Sequence, residues 1–383
     1  MGRRCSTSSP RWRGRVPESP SGTLASPGRF LLRPAAVNDR LLRAARRQPV
    51  DVTPVWIMRQ AGRYLPEYRA IREKIDFLPL CKTPDLAAEV TVQPIRRLGV
   101  DAAIIFSDIL IPTEAMGMEL ELGDRGPHFP SPLRTAADIE KLVVPDPVET
   151  TGFVAEAIRR TRAALHDSVP VIGFAGAPFT LAAYMVEGGG SKSFINIKRL
   201  LFEQPKLAHS LFERLTRTLI PYLEMQVEAG ARIVQIFDSW GGELSPRDFE
   251  TFSLPYLTRM VKALQAKGVP VIVFGTAMST HLPLLRKTGA DVLGCDWRID
   301  MDQARLLAGP DVALQGNLDP LALFLPPADL ELRVADILRR AGPVGHIFNL
   351  GHGILPPTSP DAAKHLVETV HRLGCHVTAP PTP

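Results

Sequence analysis

The chain has 383 residues, 45% of them apolar, and a formal charge of +5. That length accommodates one large α/β domain or two smaller ones, and no apolar run approaches the ~18 residues of a membrane helix, so no membrane partner is expected. Seven arginines and one acid, Glu18, fall in residues 1–36, so the positive excess belongs to that segment; the remainder is close to neutral and gives no argument for nucleic acid as a partner.

Residues 1–36 are rich in Arg, Ser, Pro and Gly and lack an apolar period. Such a composition buries too little surface to offset the entropy of ordering, and a disordered or non-native extension is expected. An Arg- and Ser-rich segment poor in acids also fits an organelle transit peptide, or a start assigned too far upstream with Val37 near the true one; its proline density weighs against the transit peptide. The expected location is cytoplasmic, or an organelle if residues 1–36 are such a peptide. The four cysteines, Cys5, Cys81, Cys295 and Cys375, form no C-x-x-C pair and read as reduced, mostly buried thiols.

From residue 37 to 376 the pattern becomes regular, and 377–383 reads as a disordered tail. Asn38 or Asp39 can cap a helix through LLRAARR, residues 41–47. Eight short apolar, β-branched runs follow: PVWIM, AAIIF, VPVIGF, RIVQIF, VPVIVF, DVLGC, VALQ and HIFNL, beginning near residues 54, 102, 169, 232, 269, 291, 312 and 346. Continuous apolar runs of this length suit strands buried on both faces. Helix-like segments such as VAEAIRRTRAAL and LELRVADILRRA lie between most of them, and the span 110–168 carries an insertion, PTEAMGMELELGDRGPHFPSPL. The alternation predicts a single-domain (β/α)8 TIM barrel with loop insertions. A doubly wound sheet is disfavoured, because no run is followed by G-x-G-x-x-G.

In such a barrel the chemistry gathers at the carboxyl ends of the strands. The runs end in Arg59, Ser107-Asp108, Gly176-Ala177, Asp238-Ser239, Thr276, Asp296, Asn317 with Asp319, and Gly351-His352-Gly353. Some of these must be structural, since Asp, Asn, Ser and Thr also cap the helices that follow. Asp108 and Asp238 stand so close to apolar runs that each is expected to need a partner. Arg59 and Arg63 offer two guanidinium forks suited to carboxylate or phosphate on one rim, and Gly62 between them lets the backbone turn. Their alternative is an ordinary surface pairing with acids such as Glu67.

Other motifs fail. EGGGSKS places Val186 and Ser191 where a phosphate loop needs glycine, so GGG reads as a flexible loop. FDSWGG is not a nucleophile elbow, no H-E-x-x-H occurs, and His281, His352 and the cysteines lack zinc-ligand spacing. What remains is a site without cofactor or metal for an anionic substrate.

RQAGRYLPEYR, FSDIL, GFAGAPFTLAAYMVEGGGSK, FDSWGG, DWRID, LQGNLDP and FNLGHGI occur in an order that resembles the uroporphyrinogen decarboxylase family over nearly all of 38–374. The resemblance implies a (β/α)8 barrel, a homodimer, and cofactor-free removal of the four acetate carboxyls of uroporphyrinogen III to give coproporphyrinogen III. It implies Asp108 and Arg59 as catalytic residues. In the R-Q-A-G-R motif it implies Arg59, Gln60, Ala61, Gly62 and Arg63 as substrate-binding. It further implies that Asp108 accepts from the pyrrole N–H groups, and that Tyr184, Ser239 and His352 contact further carboxylates. A guanidinium near Asp108 is expected to depress its pKa and keep it ionised. The proton source stays open between a bound water, a guanidinium and His352. Two positions depart from the family pattern: Thr276 stands where many members carry lysine, and Phe179 where some carry tryptophan. Rival readings are a methyltransferase on a related barrel, which would need a thiolate zinc site, and a tetrapyrrole-binding protein without turnover.

Overall fold

The computed structural model describes residues 37–123 and 126–376. The N-terminal extension with Cys5, residues 124–125 and the 377–383 tail lie outside the described residues.

Every expected run from the second onward contributes to one parallel sheet. The strands are β1 (Ala103–Ile104), then, after the insertion's β2 (Glu121–Gly123) and β3 (Gly126–His128), β4 (Val171–Gly176), β5 (Ile233–Asp238), β6 (Val271–Gly275), β7 (Val292–Gly294), β8 (Ala313–Gln315) and β9 (His346–Ile347). Among the described residues the sheet has seven strands in the order β1-β4-β5-β6-β7-β8-β9, each neighbour parallel. All six positions of β4 and all five of β6 are buried, which is why these runs do not alternate.

The first run, Pro54–Met58, differs from expectation. It makes a single parallel bridge, Val55 to Phe348, rather than a strand of the sheet. Pro54 has no N–H to give, and side chains take over rungs of the ladder. The Val55 N–H donates to Asp101 Oδ2 (2.8 Å), Ile57 N–H to Gln60 Oε1 (3.0 Å) and Met58 N–H to Asn349 Oδ1 (2.9 Å). On one side of this segment the Asp101 N–H donates to the Val55 carbonyl (2.8 Å); on the other the Phe348 N–H donates to the Pro54 carbonyl (2.8 Å). Both edges of the sheet thus bond to the same five residues. A buried chain of hydrogen bonds also joins them to the interior: Trp56 Nε1–H to Gln315 Oε1 (2.9 Å), and Gln315 Nε2–H to Gln235 Oε1 (3.0 Å).

Helices cover the sheet and fix the strands. The first, Arg40–Ala45, is capped from Asn38, whose Oδ1 accepts the Arg40 N–H (3.2 Å); Asp39 makes no side-chain cap bond. Helix Pro205–Glu228 lays Gln226 against β4, where its amide exchanges hydrogen bonds with the Phe174 N–H (2.9 Å) and carbonyl (3.0 Å). Gly173 is required there, because a Cβ would lie 2.7 Å from Gln226 Oε1.

The insertion settles on the triple-glycine segment. Gly188 closes helix Pro178–Glu187 in the left-handed conformation, and its carbonyl accepts the Phe129 N–H (3.0 Å). Gly189 bridges His128 at the end of β3. The loop expected to be flexible is therefore tied down through its backbone, and a Cβ on Gly189 would sit 2.8 Å from the Pro127 carbonyl oxygen.

Candidate active site

Because all seven strands run parallel, their carboxyl ends face the same way, and the polar residues that follow them share one rim. The turn after Met58 is tight. The Gln60 N–H donates to the Ile57 carbonyl (2.8 Å), and Arg59 takes a left-handed backbone angle, φ 62°. Arg59 and Arg63 are exposed, and among the described residues neither has a carboxylate within ion-pair distance. Glu67 is not their counter-ion. Ala61 and Gly62 are half-buried on the same turn, and a Cβ on Gly62 would lie 3.0 Å from the Arg59 carbonyl oxygen.

Gln60 is the most enclosed residue of the R-Q-A-G-R turn. It is fully buried; its amide donates to the Ala102 carbonyl (3.0 Å), its Oε1 accepts from Ile57, and its carbonyl accepts the Tyr64 hydroxyl (2.7 Å). Its work is to brace the turn that presents Arg59.

Asp108 sits half-buried just past β1, where its Oδ1 accepts the Leu110 N–H (2.8 Å). The Arg59 guanidinium depresses its pKa as expected, but that effect does not decide the net direction. Removal from water pushes the carboxyl up from its ordinary range, and the Leu110 amide and the Arg59 charge offset that only in part. Arg59 is thus near enough to act on Asp108, whereas the Arg63 charge is felt at Tyr68. Beneath Asp108 lie the buried Cys81 thiol and the Tyr222 phenol. Both are pushed up, chiefly by burial and further by the Asp108 charge.

Tyr184, on helix Pro178–Glu187, joins the same group. Burial and the Asp108 charge raise its phenol while Arg59 pulls the other way. Its ring packs 5.7 Å from Trp240, which in turn lies 5.1 Å from Phe194. Ser239 is half-buried on the turn that carries Trp240. His352 is half-buried between Gly351 and Gly353; burial, then the charges of Arg59 and Arg298, hold its pKa down at about 4. The imidazole is therefore neutral near pH 7, which weighs against His352 as a charged acid.

The second strand-end carboxylate has a different environment. Asp238 is fully buried, and its two oxygens accept the hydroxyls of Thr180 (2.7 Å) and Ser253 (2.8 Å). With no cation among these partners, burial pushes its carboxyl up to about 6. Asp238 found the partners that the sequence demanded, and they tie it into the wall. Asn317 and Asp319 are structural as well: Asn317 Nδ2 donates to the Asp296 (2.9 Å) and Ile299 (2.6 Å) carbonyls, and Asp319 caps the Leu321 N–H (2.9 Å). At Thr276 the buried hydroxyl has no partner among the described residues. Phe179 is fully buried and packs 6.4 Å from Phe212. Cys81 and Cys295 are buried as expected, but Cys375 is exposed.

Sequence reasoning passed over two contributors. Trp240 backs Tyr184, and Arg298, on the turn after β7, brings its charge near enough to act on His352. Arg298 lies two positions past the strand-end Asp296, so the strand-end rule extended by one turn would have found it. Among the described residues no three His, Cys, Asp or Glu gather in a metal-ligand cluster.

A curled parallel α/β sheet whose carboxyl rim carries exposed arginines, one of them acting on the half-buried Asp108, defines an enzyme of barrel-like type acting on an anion. Solved structures agree on the fold: a methyltransferase from Methanosarcina mazei superposes with a TM-score of 0.73 at 22% identity, covering 88% of this chain and 98% of that one. A B12-independent methionine synthase from Shewanella sp. W3-18-1 superposes at 0.51 and 10% identity, covering 76% and 86%. Sequence narrows the class. The profile of the family Uroporphyrinogen decarboxylase (URO-D) matches residues 36–373. The uroporphyrinogen decarboxylase of Myxococcus xanthus is 78% identical over 338 residues, 88% of this chain and 97% of that protein. That of Trichlorobacter lovleyi is 54% identical, covering 88% and 99%. The chain belongs to the uroporphyrinogen decarboxylase family.

Proposed function

We propose that this chain is a carboxy-lyase that removes the four acetate carboxyls of uroporphyrinogen III, yielding coproporphyrinogen III for porphyrin and haem synthesis. The observation that carries the reading is the family match over residues 36–373, which takes in Arg59 and Asp108 at the sheet's carboxyl end. Pro54–Met58, bonded to both sheet edges, is read as the eighth strand of a (β/α)8 barrel in one catalytic domain, residues 37–376. The family supports a homodimer in the cytoplasm.

The chemistry follows from the charges. Decarboxylation of an acetate leaves an electron pair that needs a sink. Protonation of the ring carbon bearing the acetate makes the pyrrole cationic and supplies one. Carbon dioxide then departs as the electron pair neutralises the ring, the exposed methylene takes a proton to become methyl, and the ring carbon returns its proton. Each acetate consumes one proton and releases one carbon dioxide. Asp108, poised near the pyrrole N–H groups, stabilises the transient cation, and fixed charge of this kind often contributes more to catalysis than any other single effect. Arg59, Arg63, Tyr184, Ser239 and His352 bind and orient the other carboxylates, with about 1.5–3 kcal/mol for each charge-assisted bond. The departing carboxylate is held more weakly, since an ion pair would stabilise the ground state. Neutral His352 serves here as a hydrogen-bonding group.

Incubation of the purified enzyme with uroporphyrinogen III, followed by chromatography of products by carboxyl number, tests the activity. Asp108→Asn should lower kcat by at least about 100-fold with substrate affinity changed far less. Near-normal turnover by that variant would remove Asp108 from the mechanism.

A further inference from the structure

His352 is bracketed by two glycines, and each glycine is pressed against a segment bearing an arginine. A Cβ on Gly353 would lie 2.3 Å from Arg59 Cδ, and one on Gly351 would lie 2.6 Å from the Trp297 backbone nitrogen and 3.1 Å from the Asp296 carbonyl carbon. Larger residues would push those segments away, so Arg59 closes on the imidazole from one side and the Asp296-Trp297-Arg298 turn from the other.

Arg298 is aimed before any ligand arrives. Its Nη1 bonds the Asp296 carboxylate, and its guanidinium carbon lies 4.3 Å from the Trp297 ring centroid. Asp296 is itself fixed, fully buried and accepting the Ala277 (2.7 Å) and Arg298 (3.1 Å) backbone N–H groups. One bond to Asp296 leaves most of the five guanidinium donors unspent, and the Arg298 side chain remains 46% exposed. An ion pair explains why Asp296 can be buried. It does not explain a partly exposed cation stacked on a half-exposed tryptophan on the opposite side of the Gly351-His352-Gly353 turn from Arg59, which among the described residues pairs with no acid. Arginines on the segments either side of a neutral imidazole supply the N–H donors that a small carboxylate needs.

We propose that Arg298, with Arg59 and His352, forms a carboxylate subsite and is a specificity-determining residue for the polyanionic tetrapyrrole. The inference rests on the uroporphyrinogen reading above.

The test uses the full chain and its Arg298→Gln and Arg298→Lys variants, with steady-state kinetics on uroporphyrinogen III and thermal melting of each protein. Glutamine can still bond Asp296, which also keeps its two backbone donors, so the turn is expected to hold. Arg298→Gln should raise KM by about tenfold with kcat within about threefold, and Arg298→Lys should fall between it and the parent, because lysine keeps the charge and loses the planar fork. An unchanged KM in Arg298→Gln overturns the proposal, as does a fall in kcat at constant KM that lysine does not restore. Should Arg298→Gln not fold, a parental KM for Arg298→Lys overturns it instead. Absence of turnover by the parent enzyme would sink the uroporphyrinogen reading itself, whereas parental turnover with indifferent variants would sink the Arg298 subsite alone.

Discussion

Arg59 holds a backbone conformation, φ 62°, that costs a residue with a Cβ about 1 kcal/mol. The cost is met by buried Gln60, whose amide and carbonyl bind three neighbours and over-determine the turn. The result is a guanidinium delivered beside both Asp108 and His352, acting on each in a definite direction. It opposes the upward shift of the aspartate and helps keep the histidine neutral. This makes a sign prediction. If Asp108 must be ionised for catalysis, the acid limb of kcat/KM lies above the ordinary carboxylate range. Arg59→Gln removes the charge that restrains the shift, so the limb should move to still higher pH, with capture of substrate weakened as well. A pH profile of both enzymes checks this; an unmoved or acid-shifted limb in Arg59→Gln would separate Arg59 from Asp108.

The first run shows the same substitution of side chain for backbone on a larger scale. Pro54–Met58 sits between the two sheet edges with Asp101, Gln60 and Asn349 supplying acceptors that a strand would have supplied. Asp101 also accepts from Asn38 (2.7 Å) and His371 (2.7 Å), so the segment is tied to the first helix and to the last, Pro360–Leu373. Inside, the chain from Trp56 through Gln315 to Gln235 links it to β8 and β5. Gln235 Nε2 already lacks a partner among the described residues. Replacing the central member, Gln315→Leu, would leave the Trp56 N–H and the Gln235 carbonyl oxygen buried and unpaired, at a cost of about 2–4 kcal/mol. Urea denaturation measures it, and a change within about 0.5 kcal/mol of zero would mean that the chain contributes nothing. PVWIM was legible as an apolar run and was expected to be the first of eight strands. Its missing rungs were not, since they depend on acceptors placed by residues far along the chain.

At the scale of the whole molecule, a histidine kept neutral by burial contributes to acid stability. His346 is buried on β9 with Nε2–H donating to the Gly316 carbonyl (2.9 Å), and its pKa is pushed down to about 4. An unfolded histidine titrates near 6.5, so below that pH the unfolded chain gains a proton that the folded chain refuses. Stability from this group is complete above pH 6.5 and drains as pH falls toward 4, by on the order of 3 kcal/mol. Denaturant midpoints across that range should decline in the parent and decline less in His346→Gln. Equal slopes would show that His346 does not govern the acid transition.

Seven of the eight expected strand positions, their parallel order and the family's motifs could be read from the residues alone, because an apolar run bounded by turn residues carries its own instruction to be buried, and Arg59, Asp108 and His352 stand at the ends of such runs. The tertiary structure decided the matters that sum over distant groups. It made the net shift of Asp108 upward, turned Gln60 and Asp238 into wall, tied the triple-glycine loop to the insertion, and brought Arg298 against His352. Burial and Coulomb fields act through space, and one-dimensional spacing does not encode which side chains 50 or 200 positions away complete a given environment.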